Sequence, residues 1–229
     1  MPGIVNPCYS WAMFEAVLFD MDGVVVDNMP LHRDVWTTFA RERGLDPTEA
    51  QIRAMDGRRA SDILKALLGE SLTPDEILEL AALREDIYRK RLETETLRAV
   101  PGIEAFLRSL RDKGTGAVLA TSATPGNAEI VLDRLDLGWA FDALVTAADV
   151  TRGKPDPEVY HTAASRVGTY ATCCLVIEDA LPGLAAGMAA GAMCLGMATS
   201  EDEPALRGAG ATWVAKDFLA LPADLLDMV

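Results

Sequence analysis

The chain has 229 residues, with 21 Lys and Arg against 35 Asp and Glu, a formal net charge of −14 at pH 7. That balance, without any run of Lys or Arg, argues against nucleic acid or an acidic membrane surface as partner and favours a small-molecule ligand. Half of the residues are hydrophobic and 24% charged, and a chain of this length buries about 70–75% of its unfolded surface, enough for a core without covalent staples.

Residues 1–12 are expected to be a loose N-terminal tail with no basic leader or long apolar run. The first strand follows, Ala16-Val17-Leu18-Phe19, a short apolar run stopped by Asp20-Met21-Asp22-Gly23. Similar runs recur at 116–120, 143–146, 174–177 and 193–197, ending at Thr121-Ser122, at a loop to Gly153-Lys154-Pro155, at Glu178-Asp179 and near Thr199. Helical patterns alternate with them at 103–113, 127–137, 158–167 and 184–190, each closed by a glycine (Gly114, Gly138, Gly168, Gly191). This alternation predicts an α/β fold with a doubly wound, Rossmann-like, mostly parallel sheet.

The stretch 30–98 breaks the rhythm with helices alone: 31–43 ending at Gly44, 61–68 ending at Gly69, and a helix to about Leu92 opened by the capping box Thr73-Pro74-Asp75-Glu76. An all-helical cap domain over 30–98 is therefore expected within a core made of 13–29 and 99–229. Pro and Gly at 27–30 and 99–102 mark two linkers about which such a cap would close.

Cys8, Cys173, Cys174 and Cys194 lack CxxC or Cys/His spacing, so neither a zinc site nor a disulfide framework is expected. The apolar stretch 184–198 holds three glycines and is too short to span a bilayer, so the expected protein is soluble, cytoplasmic and, by default, monomeric. No third glycine completes a dinucleotide fingerprint at Gly114 or Gly208, Gly153-Lys154 lacks the earlier Walker glycine, and no GxSxG elbow occurs.

Ligands of open α/β sheets bind beyond the carboxyl ends of strands, so Asp20, Thr121, Lys154 and Asp179 should converge on one crevice. Each taken alone could be a helix cap or turn residue. Asp20, Asp22, Glu178 and Asp179 together would repel one another, which calls for a cation, and oxygen ligands suit magnesium better than zinc. An EF-hand is excluded because Gly23 comes too early and a strand precedes the acidic turn. Magnesium, a lysine and a threonine hydroxyl can cradle a phosphoryl group, with Asp20 as nucleophile and Asp22 as general acid and base.

These residues resemble the haloacid dehalogenase-like superfamily, in its phosphatase and phosphoglucomutase branch with a helical cap after the first motif. The match runs from Phe14 to about Leu221, with four motifs in order: Asp20-Met21-Asp22-Gly23, Thr121, Lys154 in Gly153-Lys154-Pro155, and Glu178-Asp179. The resemblance implies that Asp20 is nucleophile and metal ligand, that Asp22 is acid/base and gives the metal its backbone carbonyl, and that Thr121 and Lys154 hold the phosphoryl oxygens. It also implies that Asp179 binds magnesium with Glu178 beside it. Asp22 points away from the dehalogenases of the superfamily, which do not need that acid.

Ser122 and Asn127 are candidate substrate contacts beside Thr121. In the cap, the resemblance makes His32 a partner of a substrate hydroxyl or of Asp22, the alternative being a linker histidine that caps the first helix; Trp36 reads as core. Gly57-Arg58-Arg59 is similar to a cap loop that reaches the site, although the phosphate-gripping Arg of the mutases falls on Ala60. A family lysine is replaced by Arg84, either an anion clamp or a solvated surface group. The expected function is a magnesium-dependent phosphatase of small phosphorylated metabolites, with sugar phosphates foremost, through an aspartyl-phosphate. The alternatives are a beta-phosphoglucomutase-like isomerase on the same core and a catalytically silent phosphometabolite binder.

Overall fold

The computed structural model describes residues 13–56 and 58–229; the expected tail over 1–12 and the candidate Gly57 lie outside the described residues. In chain order the elements are β1 (Ala16–Phe19), α1 (Met29–Arg41), α2 (Glu49–Arg53), α3 (Ala60–Leu68), α4 (Pro74–Thr94), α5 (Ile103–Lys113), β2 (Gly116–Ala120) and α6 (Pro125–Arg134). They continue as β3 (Ala143–Val145), α7 (Glu158–Arg166), β4 (Cys174–Glu178), α8 (Leu181–Ala189), β5 (Met193–Met197), α9 (Glu203–Gly208), β6 (Trp213–Ala215) and α10 (Ala223–Leu226).

The strands form one parallel sheet in the order β3-β2-β1-β4-β5-β6. Connections run one way from β1 to β3 and the other way from β4 to β6, so the order reverses between β1 and β4. Loops diverge there and leave a crevice at the strands' carboxyl ends. Register places Phe19 beside both Leu119 and Ile177, which brings the residues that follow β1 and β4 to the same level.

Both faces of the sheet are covered, which is why its strands read as continuous apolar runs rather than alternating ones. Ala16 and Leu18 join the cluster that includes Val118, Val176, Tyr160 and Leu184. Phe19 points the other way, where its ring meets Phe106 at 6.1 Å, Phe141 at 5.7 Å and Phe218 at 6.3 Å. The period of two in a strand makes this division.

Residues up to Asp27 pack with Arg98–Val229 as one unit, and Asn28–Leu97 forms a second. The two crossings leave the first unit side by side: Asp27 N donates to Arg98 O at 2.8 Å and Val100 N to Val25 O at 3.0 Å. The second unit is all helical, closed around Trp36, Phe39, Ile52, Ile63 and Leu64. Capping boxes start two of its helices, Thr48 with Gln51 at α2 and Thr73 with Glu76 at α4.

Several expected boundaries shift. Helix α6 ends at Arg134, before Gly138, because Asp136 takes the left-handed conformation with φ of 54°. Helix α8 begins three residues early, with Pro182 in its first turn, where a missing N–H costs nothing. The five apolar runs become six strands, with β6 added, and the short helices α2, α9 and α10 are likewise additions to the expected elements. Cys174 and Cys194 are free and buried, whereas Cys173 is disulfide-bonded, one paired cysteine where none is expected.

Candidate active site

Asp20 is the first residue past β1, and its N–H donates to Ile177 O at 3.0 Å, which continues the sheet's ladder one step into the crevice. Glu178 ends β4 and Asp179 follows it. Because neighbouring strands end level at the reversal point, one ligand atom from each of Asp20, Glu178 and Asp179 falls within 4.8 Å of the others. Lys154 Nζ lies 2.5 Å from Asp20 Oδ1 and 2.6 Å from Glu178 Oε1 and donates to Ala120 O at 3.1 Å. Thr121, past β2, is buried; its N–H donates to Val145 O, and its hydroxyl oxygen accepts from Ala123 N at 3.0 Å. Thr121, Ser122, Gly153 and Lys154 line a cavity of about 190 Å³.

Two close approaches show how tightly the carboxylates are seated. Gly23 has φ of +76°, and a Cβ there would stand 2.0 Å from Asp179 Oδ2. Gly183, in the first turn of α8, lies against Glu178, whose carboxylate a Cβ would meet at 1.9 Å. Glu178 is also held by the Tyr160 hydroxyl, which donates to Oε1 at 2.5 Å, and its Oε2 accepts from Asp179 N at 3.2 Å.

Burial pushes the Asp20 carboxyl up from 3.8 to about 7; Lys154 opposes the rise, while Glu178 and Asp22 add to it. Asp179 is raised by burial and by the charges of Glu178 and Asp20. Burial works to lower the Lys154 ammonium, but Asp20 and Glu178 hold it above its ordinary value. One ammonium among three buried carboxylates leaves the cluster short of positive charge, and a cation among them would favour their ionised forms. The donor set is all oxygen, which fits a hard metal ion.

The structure thus brings together Asp20, Lys154, Glu178 and Asp179, with Thr121 and Ser122 on the cavity that Lys154 shares. The Asp22 carboxylate is not in the three-carboxylate group, although its charge acts on Asp20. Asn127 is buried in the first turn of α6, not on an open surface.

In the helical unit, Arg84 is buried rather than solvated, so the surface alternative for it falls. Its Nη2 lies 2.7 Å from His32 Nδ1, and its guanidinium sits over the rings of Trp36 and Tyr88. The His32 ring stacks on Tyr88 at 4.3 Å, and Asn28 Nδ2 donates to the Tyr88 hydroxyl at 2.7 Å. The Asn28 side chain makes no cap bond at α1, and the His32 ring is engaged with Arg84 and Tyr88. Trp36 is in the core cluster, while Arg58 and Arg59 are exposed, Arg59 at the start of α3.

Sequence reasoning missed Tyr160, Thr199 and Ser200. Thr199 Oγ1 donates to Gly23 O at 2.6 Å, and Ser200 Oγ donates to Asp179 Oδ2. The signal for the last two was their place at the exit of an apolar run, the position that marks the other site residues.

The family model of the haloacid dehalogenase-like hydrolases matches residues 14–191. The chain belongs to this family. Among its members, the chain is 32% identical over 199 residues to the validoxylamine A 7'-phosphate phosphatase of Streptomyces hygroscopicus subsp. limoneus, covering 85% of this chain and 90% of that protein. It is 35% identical over 177 residues to the phosphorylated carbohydrates phosphatase of Thermotoga maritima, covering 77% and 82%. A haloacid dehalogenase-like hydrolase of Entamoeba histolytica shares the fold, with a TM-score of 0.86 at 24% identity over 93% of this chain and 98% of that one. No helix among the described residues is long and apolar enough to cross a membrane.

Proposed function

We propose that the protein is a magnesium-dependent phosphatase of small phosphorylated carbohydrates that works through an aspartyl-phosphate on Asp20. The observation that carries this reading is the buried Asp20 carboxylate, held by Lys154 at 2.5 Å within an acidic cluster, in a chain with one relative named a validoxylamine A 7'-phosphate phosphatase and another a phosphorylated carbohydrates phosphatase. A sheet-end carboxylate with fixed position and an adjacent ammonium is what in-line attack on phosphorus needs.

Asp20 attacks the phosphorus through one carboxylate oxygen, the ester P–O bond breaks, and Asp22 gives its proton to the departing alcohol oxygen. Asp22, now ionised, takes a proton from water; the water oxygen attacks phosphorus and the bond to Asp20 breaks, releasing phosphate and restoring both carboxyl groups. Lys154 and Thr121 hold the phosphoryl oxygens throughout. Asp20, Asp179 and the Asp22 carbonyl would hold magnesium, with Glu178 beside them, and the ion supplies charge to offset that of the phosphoryl oxygens. Ser122 and Asn127 in the core, and His32, Arg58, Arg59 and Arg84 in the helical unit, are assigned to substrate recognition. The helical unit acts as the cap of a monomeric, cytoplasmic enzyme.

Phosphorus NMR of the protein with Mg2+ and a panel of phosphorylated sugars tests the reading. Free phosphate should appear with the wild-type protein and not with Asp20→Asn. Conversion of a hexose 1-phosphate to its 6-phosphate without free phosphate would replace the phosphatase by a mutase, and no turnover of any phosphomonoester would end the proposal.

A further inference from the structure

We infer that Ser200, together with Thr199, is a positioning residue that fixes the Asp179 carboxylate and the first-motif turn for the metal ion. The inference rests on the proposed function only in taking Asp179 as a metal ligand. Asp179 is 3% exposed and sits among other carboxylates, so its orientation must be imposed by hydrogen-bond donors rather than by water. The Ser200 hydroxyl donates to its Oδ2, and Thr199 Oγ1 stands 3.5 Å from the same oxygen.

Thr199 also ties this carboxylate to the nucleophile's own loop. Its hydroxyl donates to Gly23 O at 2.6 Å, and Gly23 is the residue whose missing Cβ lets Asp179 approach. The segment bearing both hydroxyls is itself anchored: Ala198 N donates to Ala215 O at 2.8 Å and Thr199 N to Met197 O at 2.9 Å. Three strand exits, those of β1, β4 and β5, are thereby joined through two hydroxyl groups. A carboxylate has about four acceptor positions, so the bond to Ser200 leaves others for a cation. Groups that orient metal ligands in this way are worth about 10–100-fold in metal affinity.

The test is calorimetric titration of the metal-stripped full-length protein with MgCl2, without substrate. Ser200→Ala should weaken Mg2+ binding by about tenfold or more, and Ser200→Thr, which keeps the hydroxyl, should bring it back to within about threefold of wild type. Thr199→Val, which keeps the shape and loses the bond to Gly23, should weaken it as well. At saturating Mg2+ the kcat of Ser200→Ala should stay within about threefold of wild type, while the Mg2+ concentration for half-maximal rate rises.

An affinity unchanged in both Ser200→Ala and Thr199→Val would overturn the inference. So would failure of Ser200→Thr to restore binding, since that assigns the effect to packing, and so would a wild-type protein that binds no Mg2+. Because the titration needs no turnover, an enzyme inactive on every phosphomonoester would sink the phosphatase reading while leaving this result to stand on its own.

Discussion

The two units solve the problem of placing polar side chains in different ways. In the sheet unit, Asp20, Thr121, Glu178 and Asp179 stand at or one step past strand ends, so the backbone ladder sets their positions to within the tolerance of strand register. In the helical unit, His32 on α1 meets Arg84 on α4, 52 residues away, and Asn28 meets Tyr88 across 60 residues, so helix packing alone sets the pairing. A sheet-built site resists change because shifting one residue shifts a strand, whereas a helix-built site can be altered by one substitution without disturbing the chemistry. The sheet unit should therefore govern kcat and the helical unit KM.

The largest effect expected is from Asp20→Asn, which keeps shape and hydrogen-bonding ability but removes the proposed nucleophile. Turnover should fall by at least about 10³-fold, with circular dichroism unchanged. Residual activity within tenfold of wild type would move the nucleophile elsewhere and break the assignment of chemistry to the strand ends. Chelation by EDTA should also abolish turnover, and Mg2+ should both restore it and raise Tm, since an ion bound only by the folded state stabilises that state.

Next comes Gly183→Ala. Its Cβ would lie 1.9 Å from the Glu178 carboxylate, which Lys154 and Tyr160 hold from other directions. The carboxylate must shift, taking Lys154 with it, and a misplacement of about 1 Å near reacting groups costs on the order of 10²-fold in rate. Steady-state kinetics should show the loss in kcat. A loss confined to KM would mean that Glu178 does not govern the position of Lys154.

The same contrast explains what the sequence reveals. Asp20, Thr121, Glu178 and Asp179 are legible because each ends a short apolar run, a local pattern that needs no partner to be recognised, and Lys154 lies on the exit loop of another. Tyr160 is not, because in sequence it is an ordinary apolar-face tyrosine of a helix, and only folding brings its hydroxyl to Glu178. Ser200 is intermediate: it lies just past the apolar run of β5, as the other site residues lie past theirs, but only folding shows that its hydroxyl reaches Asp179. The fate of Arg84 could not be settled from its helix either: nothing local to α4 announces that Trp36, Tyr88 and His32 will enclose it.

Arg84→Met keeps the long stem and removes the charge that bonds His32. If the helical unit serves recognition, KM should rise by about tenfold while kcat stays within about threefold. Equal losses in kcat and kcat/KM would place Arg84 in the transition state and dissolve the division between the units. Thermal unfolding should also register the change, because removing one partner of a buried charge-assisted hydrogen bond costs about 1.5–3 kcal/mol.

The smallest effect concerns acid stability, and it compares two carboxylates that hold loops by accepting from threonine. Glu158, at the start of α7, accepts from Thr151 N at 2.9 Å and from the Thr151 hydroxyl, with Arg152 beside it, which fixes the turn leading to Lys154. These bonds, Thr151 first, push its carboxyl down from 4.5 to about 2. Glu76 in the helical unit is lowered in the same way by Thr73. A depressed carboxyl contributes stability that is present above its unfolded pKa and lost as pH falls through its folded one. The stability difference between wild type and Glu158→Gln should therefore hold above about pH 4.5 and shrink to nothing as pH falls toward 2. Both groups are solvent-screened, so the difference is small, and a series of thermal melts from pH 6 to pH 2.5 is the means to see it. A difference that stays constant across that range would mean that Glu158 holds the 151–154 turn by packing rather than by its charge.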